Sequence, residues 1–153
     1  MKSQIKPRMT IAQILEKRMP QLLRVATNQP QVLAVFLFGS LADGYATPQS
    51  DIDLGVLFDR EINLKTELSF SVQVSVALGT DQVDVVNLNR ANLLLRFRAV
   101  AGKLLYERDT VRVSDFIEQT VNDHRAFEPR AQAMLRDYFD SLGEAYAVRP
   151  QTR

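Results

Sequence analysis

At 153 residues, with 46% hydrophobic and 24% charged residues, the chain has the size and composition of one globular domain with a substantial core. A net charge of +1 makes no electrostatic case for nucleic acid as a direct partner, and the lack of cysteine excludes disulfides and thiolate metal sites. No apolar run approaches the ~20 residues that span a bilayer, and the polar N-terminus has no apolar signal core, so a cytoplasmic protein with no membrane partner is expected.

The spacing of Ile11, Ile14 and Leu15, with Thr10 as a cap, predicts a first helix over 9–28. Pro20 is expected to break it or to start a second turn. After Asn28-Gln29-Pro30, the segment Val32 to Phe38 is nearly all apolar and rich in β-branched and aromatic residues, the pattern of a strand covered on both faces. It stops at Gly39-Ser40. One helical turn over Leu41–Tyr45 and a loop at Thr47-Pro48-Gln49-Ser50 then lead into a second strand, Asp51 to Phe58.

Strand alternation puts Asp51, Asp53, Gly55 and Leu57 on one face and Ile52, Leu54, Val56 and Phe58 on the other. The second set is a core face. Two carboxylates two residues apart point the same way, and like charges so close repel unless a cation lies between them.

A helix over 64–78, with Leu64, Leu68, Val72 and Val76 expected inward, stops at Gly79. Asp81 to Asn89 alternates again, with Asp84 inside an otherwise apolar strand, where burial of an unpaired carboxylate would be costly. A helix over 90–101 and a short edge strand, Lys103 to Glu107, follow. A helix over 111–127 carries Val113, Phe116, Ile117, Val121 and His124 on one stripe. Pro129 is expected to end it, and a last helix over 130–146 carries Leu135, Tyr138, Leu142 and Ala145, with a frayed tail from Val148. The order predicts an α/β (α+β) fold: a small mixed sheet flanked by helices, in one domain over 1–153, with a core at about 30–107 and a helical extension at about 111–147.

Gly39 and Ser40 suit a backbone cradle for phosphate, because small residues let it approach N–H groups at the start of a helix. Asp51, Asp53 and Asp84 supply the oxygen donors that Mg²⁺ prefers, and Asp84 is also placed to accept a proton from an attacking hydroxyl. Each part alone is commonplace: Gly-Ser is an ordinary turn, and a lone D-x-D is usual on surface strands. Asp84 could instead pair with Arg90 or Arg96. His124 suits packing better than catalysis, and Arg96, Arg98 and Lys103 suit a solvated surface, although each has the length to reach a triphosphate. Together the three acids and the turn point to metal-dependent phosphoryl-transfer chemistry.

The pattern G-S, ten residues, D-x-D, with the strand before it and the third acid in Val83-Asp84-Val85, resembles the polymerase-β-type nucleotidyltransferase superfamily. The ending Arg98-Ala99-Val100-Ala101-Gly102-Lys103-Leu104-Leu105-Tyr106-Glu107 is similar to the minimal nucleotidyltransferases, commonly the antitoxin half of HEPN/MNT toxin–antitoxin pairs. The resemblance covers roughly Val32 to Glu107. It implies a polymerase-β-like fold, with Gly39 and Ser40 binding nucleotide and Asp51, Asp53 and Asp84 binding Mg²⁺ and acting in catalysis. It further implies transfer of AMP from ATP to a tyrosine of a partner HEPN ribonuclease toxin, in a homo- or hetero-oligomer. The alternatives are an antitoxin that neutralises its partner by binding alone, and adenylylation of a small molecule such as an aminoglycoside. One residue departs from the pattern. Relatives often carry a basic residue just after the Gly-Ser turn, whereas this chain has Leu41-Ala42-Asp43-Gly44, an acid near the phosphate cradle.

Overall fold

The computed structural model describes residues 8–146. The elements are α1 (Ile11–Asn28), β1 (Val32–Phe38), α2 (Gly39–Asp43), β2 (Ile52–Phe58), α3 (Leu64–Leu78), β3 (Val83–Asn87), α4 (Leu93–Val100), β4 (Lys103–Glu107) and α5 (Thr110–Tyr146). One sheet carries the strands in the order β3-β2-β1-β4. β1 is antiparallel to both β2 and β4, whereas β2 and β3 run parallel, so the sheet is mixed as expected. β1 and β2 fill the middle and β3 and β4 the edges.

The two sheet faces have separate cores. Ile52, Leu54, Val56 and Phe58 of β2 pack with Leu15, Leu22 and Ala26 of α1 and Phe70, Val74 and Leu78 of α3. On the opposite face Leu57 of β2 joins Phe36, Phe38, Leu88, Ala99 of α4 and Val113 of α5. The alternation of β2 therefore runs as the sequence implied, and the face bearing Asp53 is the α4/α5 face.

Local chemistry sets the element boundaries. The Thr10 side chain accepts from the Gln13 N–H while Gln13 reaches back to the Thr10 N–H, closing a capping box at α1. The Asn63 and Asn92 side chains accept from the Thr66 and Leu95 N–H groups and so cap α3 and α4, and Gly79 ends α3 in the left-handed conformation.

Three expectations need correction. Pro20 does not break α1: Pro20 and Glu16, whose carbonyl would have been its partner, both lie on the exposed side, where water replaces the missing bond. Pro129 likewise sits inside a single continuous α5 of 37 residues, with Arg125 exposed one turn earlier. At 1.5 Å per residue that helix is about 55 Å long. The side chains of Leu142 and Ala145, and the tail from Val148, lie outside the described residues. The third correction concerns α3, which buries Phe70, Val74 and Leu78 and leaves Leu64, Leu68, Val72 and Val76 exposed. Both stripes are apolar at helical spacing, and the one that carries the aromatic Phe70 faces the sheet.

Candidate active site

The site is built by the antiparallel pairing of the two central strands. Phe38, the last residue of β1, is the partner of Asp53, near the start of β2. The chain therefore leaves β1 at Gly39, makes the short helix α2 and an exposed loop, and returns to the same spot at Asp51. Gly39 is buried with φ +72, a conformation that favours glycine, and a β-carbon on it would collide with Oδ2 of Asp53. Gly39 and Ser40 form the first turn of α2, whose leading N–H groups have no partner within the helix.

Parallel pairing of β2 with β3 makes Asp53 the register partner of Asp84. Partners on adjacent strands share a face with their backbones about 5 Å apart, so the two acids project from neighbouring positions on one face. Asp51 is exposed just ahead of β2, and Asp53 is half-buried. Asp84 is exposed. The sequence had suggested burial in an apolar strand, but β3 is an edge strand and its acid side opens to solvent. Asp84 thus carries no burial cost to explain, and neither expected cation takes it up: Arg90 pairs with Glu67, and Arg96 Nε donates to the Ala91 carbonyl at 2.8 Å.

The electrostatics single out Asp53. Partial burial raises its pKa, the charges of Asp84 and Asp51 raise it further, and the Arg98 guanidinium opposes them. Among the described residues no group of three His, Cys, Asp or Glu side chains is already drawn together tightly enough to hold an ion. Strand register brings the acids' backbones together, and their like charge opposes closing the carboxylates on one another without a cation. These are hard oxygen donors on an open face that leaves room for retained water, which fits Mg²⁺.

Other residues fall into place around this centre. Gly55 lets α4 close onto the sheet behind Asp53: a β-carbon there would come within 3.0 Å of Ala99 and 3.1 Å of Leu88. Arg98, which the sequence suited to a solvated surface although it has the length to reach a triphosphate, acts on Asp53 because that close approach of α4 carries it to the acids. Ala99 beside it was the one available signal, a small residue in an otherwise bulky helix. Lys103 is exposed on β4. His124 stacks on Phe97 with ring centroids 3.6 Å apart and planes 7° from parallel, a packing role. A cavity of about 620 Å³ lies elsewhere, between Thr10 and Ile11 of α1, the loop at Thr47 and Pro48, and Gln82. The acids instead lie on an open surface.

The model of the family described as polymerase beta, nucleotidyltransferase matches residues 20–111. The chain belongs to this nucleotidyltransferase family. A relative in Aphanizomenon flos-aquae, named protein adenylyltransferase MntA, is 33% identical over 108 residues, covering 64% of this chain and 69% of its own. Among solved structures, a crystal structure of a toxin–antitoxin with AMP-PNP has a chain similar to this one, with a TM-score of 0.64 and 27% identity, covering 81% of this chain and 98% of its own. A complex of the tri-AMPylated Shewanella oneidensis HEPN toxin with its MNT antitoxin is similar at a TM-score of 0.61 and 26% identity, covering 84% and 98%. As a nucleotidyltransferase, the chain takes a nucleotide as substrate, and none of its described helices is long and apolar enough to cross a membrane.

Proposed function

We propose that this protein is a Mg²⁺-dependent adenylyltransferase that moves AMP from ATP to a tyrosine hydroxyl of a partner HEPN toxin and so acts as its antitoxin. The observation that carries this reading is the register of Asp53 with Asp84, directly beside the Gly39 turn. Two relatives support the acceptor, one named a protein adenylyltransferase and one solved with an AMPylated toxin, and a third, solved with AMP-PNP, supports the nucleotide. The exposure of Asp51 and Asp84 on an open face suits a protein acceptor, which brings its own walls to the site. In this reading the whole chain works as one domain in the cytoplasm, where ATP is available.

Asp51, Asp53 and Asp84 would hold Mg²⁺, which supplies charge neutralisation on the phosphates and a more acidic attacking hydroxyl. Gly39 and Ser40 orient the triphosphate through backbone N–H groups and the Ser40 hydroxyl. Asp84 accepts the proton of the incoming tyrosine. Arg98 offsets part of the negative charge that the acids and the triphosphate concentrate there.

The test is incubation with α-labelled ATP, Mg²⁺ and the authentic partner. The partner should be labelled on tyrosine, and the double variant Asp51→Asn/Asp53→Asn should neither label nor neutralise it. Neutralisation that survives in the double variant would show occlusion rather than catalysis.

A further inference from the structure

Tyr45 is an exposed tyrosine within the loop that builds the site, and neither packing nor the transfer to a partner gives it a role. It is 67% exposed, and its hydroxyl donates to Oδ2 of Asp43 at 3.1 Å. Its backbone is held close to the phosphate cradle, because its N–H donates to the Ser40 carbonyl at 3.1 Å. Gly44, left-handed at φ +85, turns the chain back to make that bond, and a β-carbon there would meet nothing. Ser40 follows Gly39, which abuts the Asp53 carboxylate. Tyr45 is therefore anchored within one tyrosine side chain of the turn that would hold the triphosphate. The acid that departs from the expected basic pattern, Asp43, is the residue its hydroxyl bonds.

We propose that Tyr45 is an adenylyl acceptor within the chain itself, with Asp43 as its proton acceptor. The inference rests on the adenylyltransferase reading above. Oη of Tyr45 attacks the α-phosphorus of ATP and forms a phosphodiester bond to AMP. The bond from that phosphorus to the α,β-bridging oxygen breaks, and pyrophosphate leaves with the electron pair. The phenolic proton passes to Oδ2 of Asp43. A tyrosine that donates to a carboxylate has the pairing of nucleophile and base that this step needs. The chemistry is that proposed for the partner's tyrosine, so the site needs no second specificity. The loop from Asp43 to Gln49 is exposed throughout, which leaves Tyr45 open to the reaction.

The purified full chain is incubated with ATP and Mg²⁺ in the absence of any partner, and its intact mass and peptide map are recorded. A gain of one AMP, mapped to Tyr45, is expected. Tyr45→Phe should abolish it, whereas Tyr138→Phe, which removes another exposed tyrosine, should keep it. Asp43→Asn should slow the gain by about 100-fold or more, the scale of a lost general base. Asp43→Asn bears on proton transfer and Tyr45→Phe on the acceptor, and neither position is buried, so both variants should fold. No gain in mass, or a gain mapped to another residue, overturns the inference. Labelling of the authentic partner in the same experiment separates the two readings: a labelled partner beside an unmodified chain leaves adenylyl transfer standing and rejects Tyr45 as acceptor. If neither protein is labelled, both readings fall.

Discussion

The α-carbon of Gly39 faces the carboxylate of Asp53 so closely that no β-carbon fits between them, and Gly39 adopts a left-handed φ of +72. Steric fit and backbone conformation thus demand glycine independently. Gly39→Ala would push the Asp53 carboxylate away and strain the turn proposed to hold phosphate. The expected outcome is a loss of at least about 100-fold in kcat/KM for AMP transfer, the cost of misplacing a reacting group by an ångström. Ser40→Ala, which keeps the backbone cradle, should cost much less. Steady-state kinetics on both variants checks the order, and equal losses would contradict a backbone cradle.

Asp53 sets a pH dependence whose sign follows from its raised pKa. Burial disfavours its charged form first, and Asp84 and Asp51 then add like-charge repulsion. The unfolded chain releases this proton at a lower pH than the folded one, so Asp53 costs stability as pH rises from its ordinary value of 3.8 through the raised value. Above that the cost is constant. In the metal-free protein, Asp53→Asn should therefore melt higher than wild type at neutral pH. The gap should close as pH falls through the carboxylate range. Mg²⁺ should raise the melting temperature of wild type more than that of the variant. Thermal melts across pH, with and without Mg²⁺, measure all three effects.

In the proposed mechanism Asp84 serves the chemistry, and its exposure leaves it no part in packing. It is exposed on an edge strand and meets no cation among the described ion pairs. Asp84→Asn should change stability by no more than about 0.5 kcal/mol. The same substitution should lower kcat by about 100- to 10,000-fold if Asp84 accepts the proton. A melt and a single-turnover rate on one preparation separate the two effects. A stability loss comparable to the activity loss would reassign Asp84 to a structural role.

Most of the elements were legible because a residue with one local meaning bounds them. Gly39-Ser40 ends β1, Thr10 caps α1 and Gly79 closes α3, and all three act within a turn of the boundary. The two-residue alternation of β2 was also legible, and it placed Asp51 and Asp53 opposite the core face. Long-range facts were not legible. Asp84 looked buried because its neighbours Val83, Val85 and Val86 are apolar, and only the strand order shows that β3 is an edge. Pro20 and Pro129 read as breaks because a proline removes a hydrogen bond, but the cost falls on carbonyls that water reaches. Arg98 could not be assigned to the acids before the contact of Gly55 with Ala99 drew α4 inward.

The inversion of α3 gives a prediction of its own. Leu68 and Phe70 are equally apolar in the sequence, yet Leu68 is 56% exposed and Phe70 1% exposed. Phe70 also meets Phe58 edge-on, with ring centroids 5.9 Å apart. Phe70→Ala should cost about 3–5 kcal/mol, the range for emptying a core aromatic site. Leu68→Gln should stay within about 0.5 kcal/mol. Urea denaturation of the two variants tests the orientation, and a reversed order would mean that the helix is rotated.

Arg108 ties the first helix to the last strand. Its Nε donates to the Val32 carbonyl at 3.0 Å, and one terminal nitrogen donates to the carbonyls of Ala26, Thr27 and Gln29 at 3.2, 2.8 and 3.2 Å. These include the last carbonyls of α1, which have no acceptor role left within the helix. A planar, forked donor can serve several carbonyls at once, and a lysine ammonium cannot match that geometry. Arg108→Ala should destabilise the fold by about 2–3 kcal/mol, allowing for the partial exposure of these bonds. For a chain of this size that is a fall of roughly 5–10 °C in melting temperature. Arg108→Lys should recover less than half of the loss. Arg108 meets the end of the sheet remote from Asp53, so the folded fraction of either variant should transfer AMP at the wild-type rate. Denaturant midpoints paired with kcat at 25 °C check this, and a kcat that falls with stability intact would place Arg108 in the active site instead.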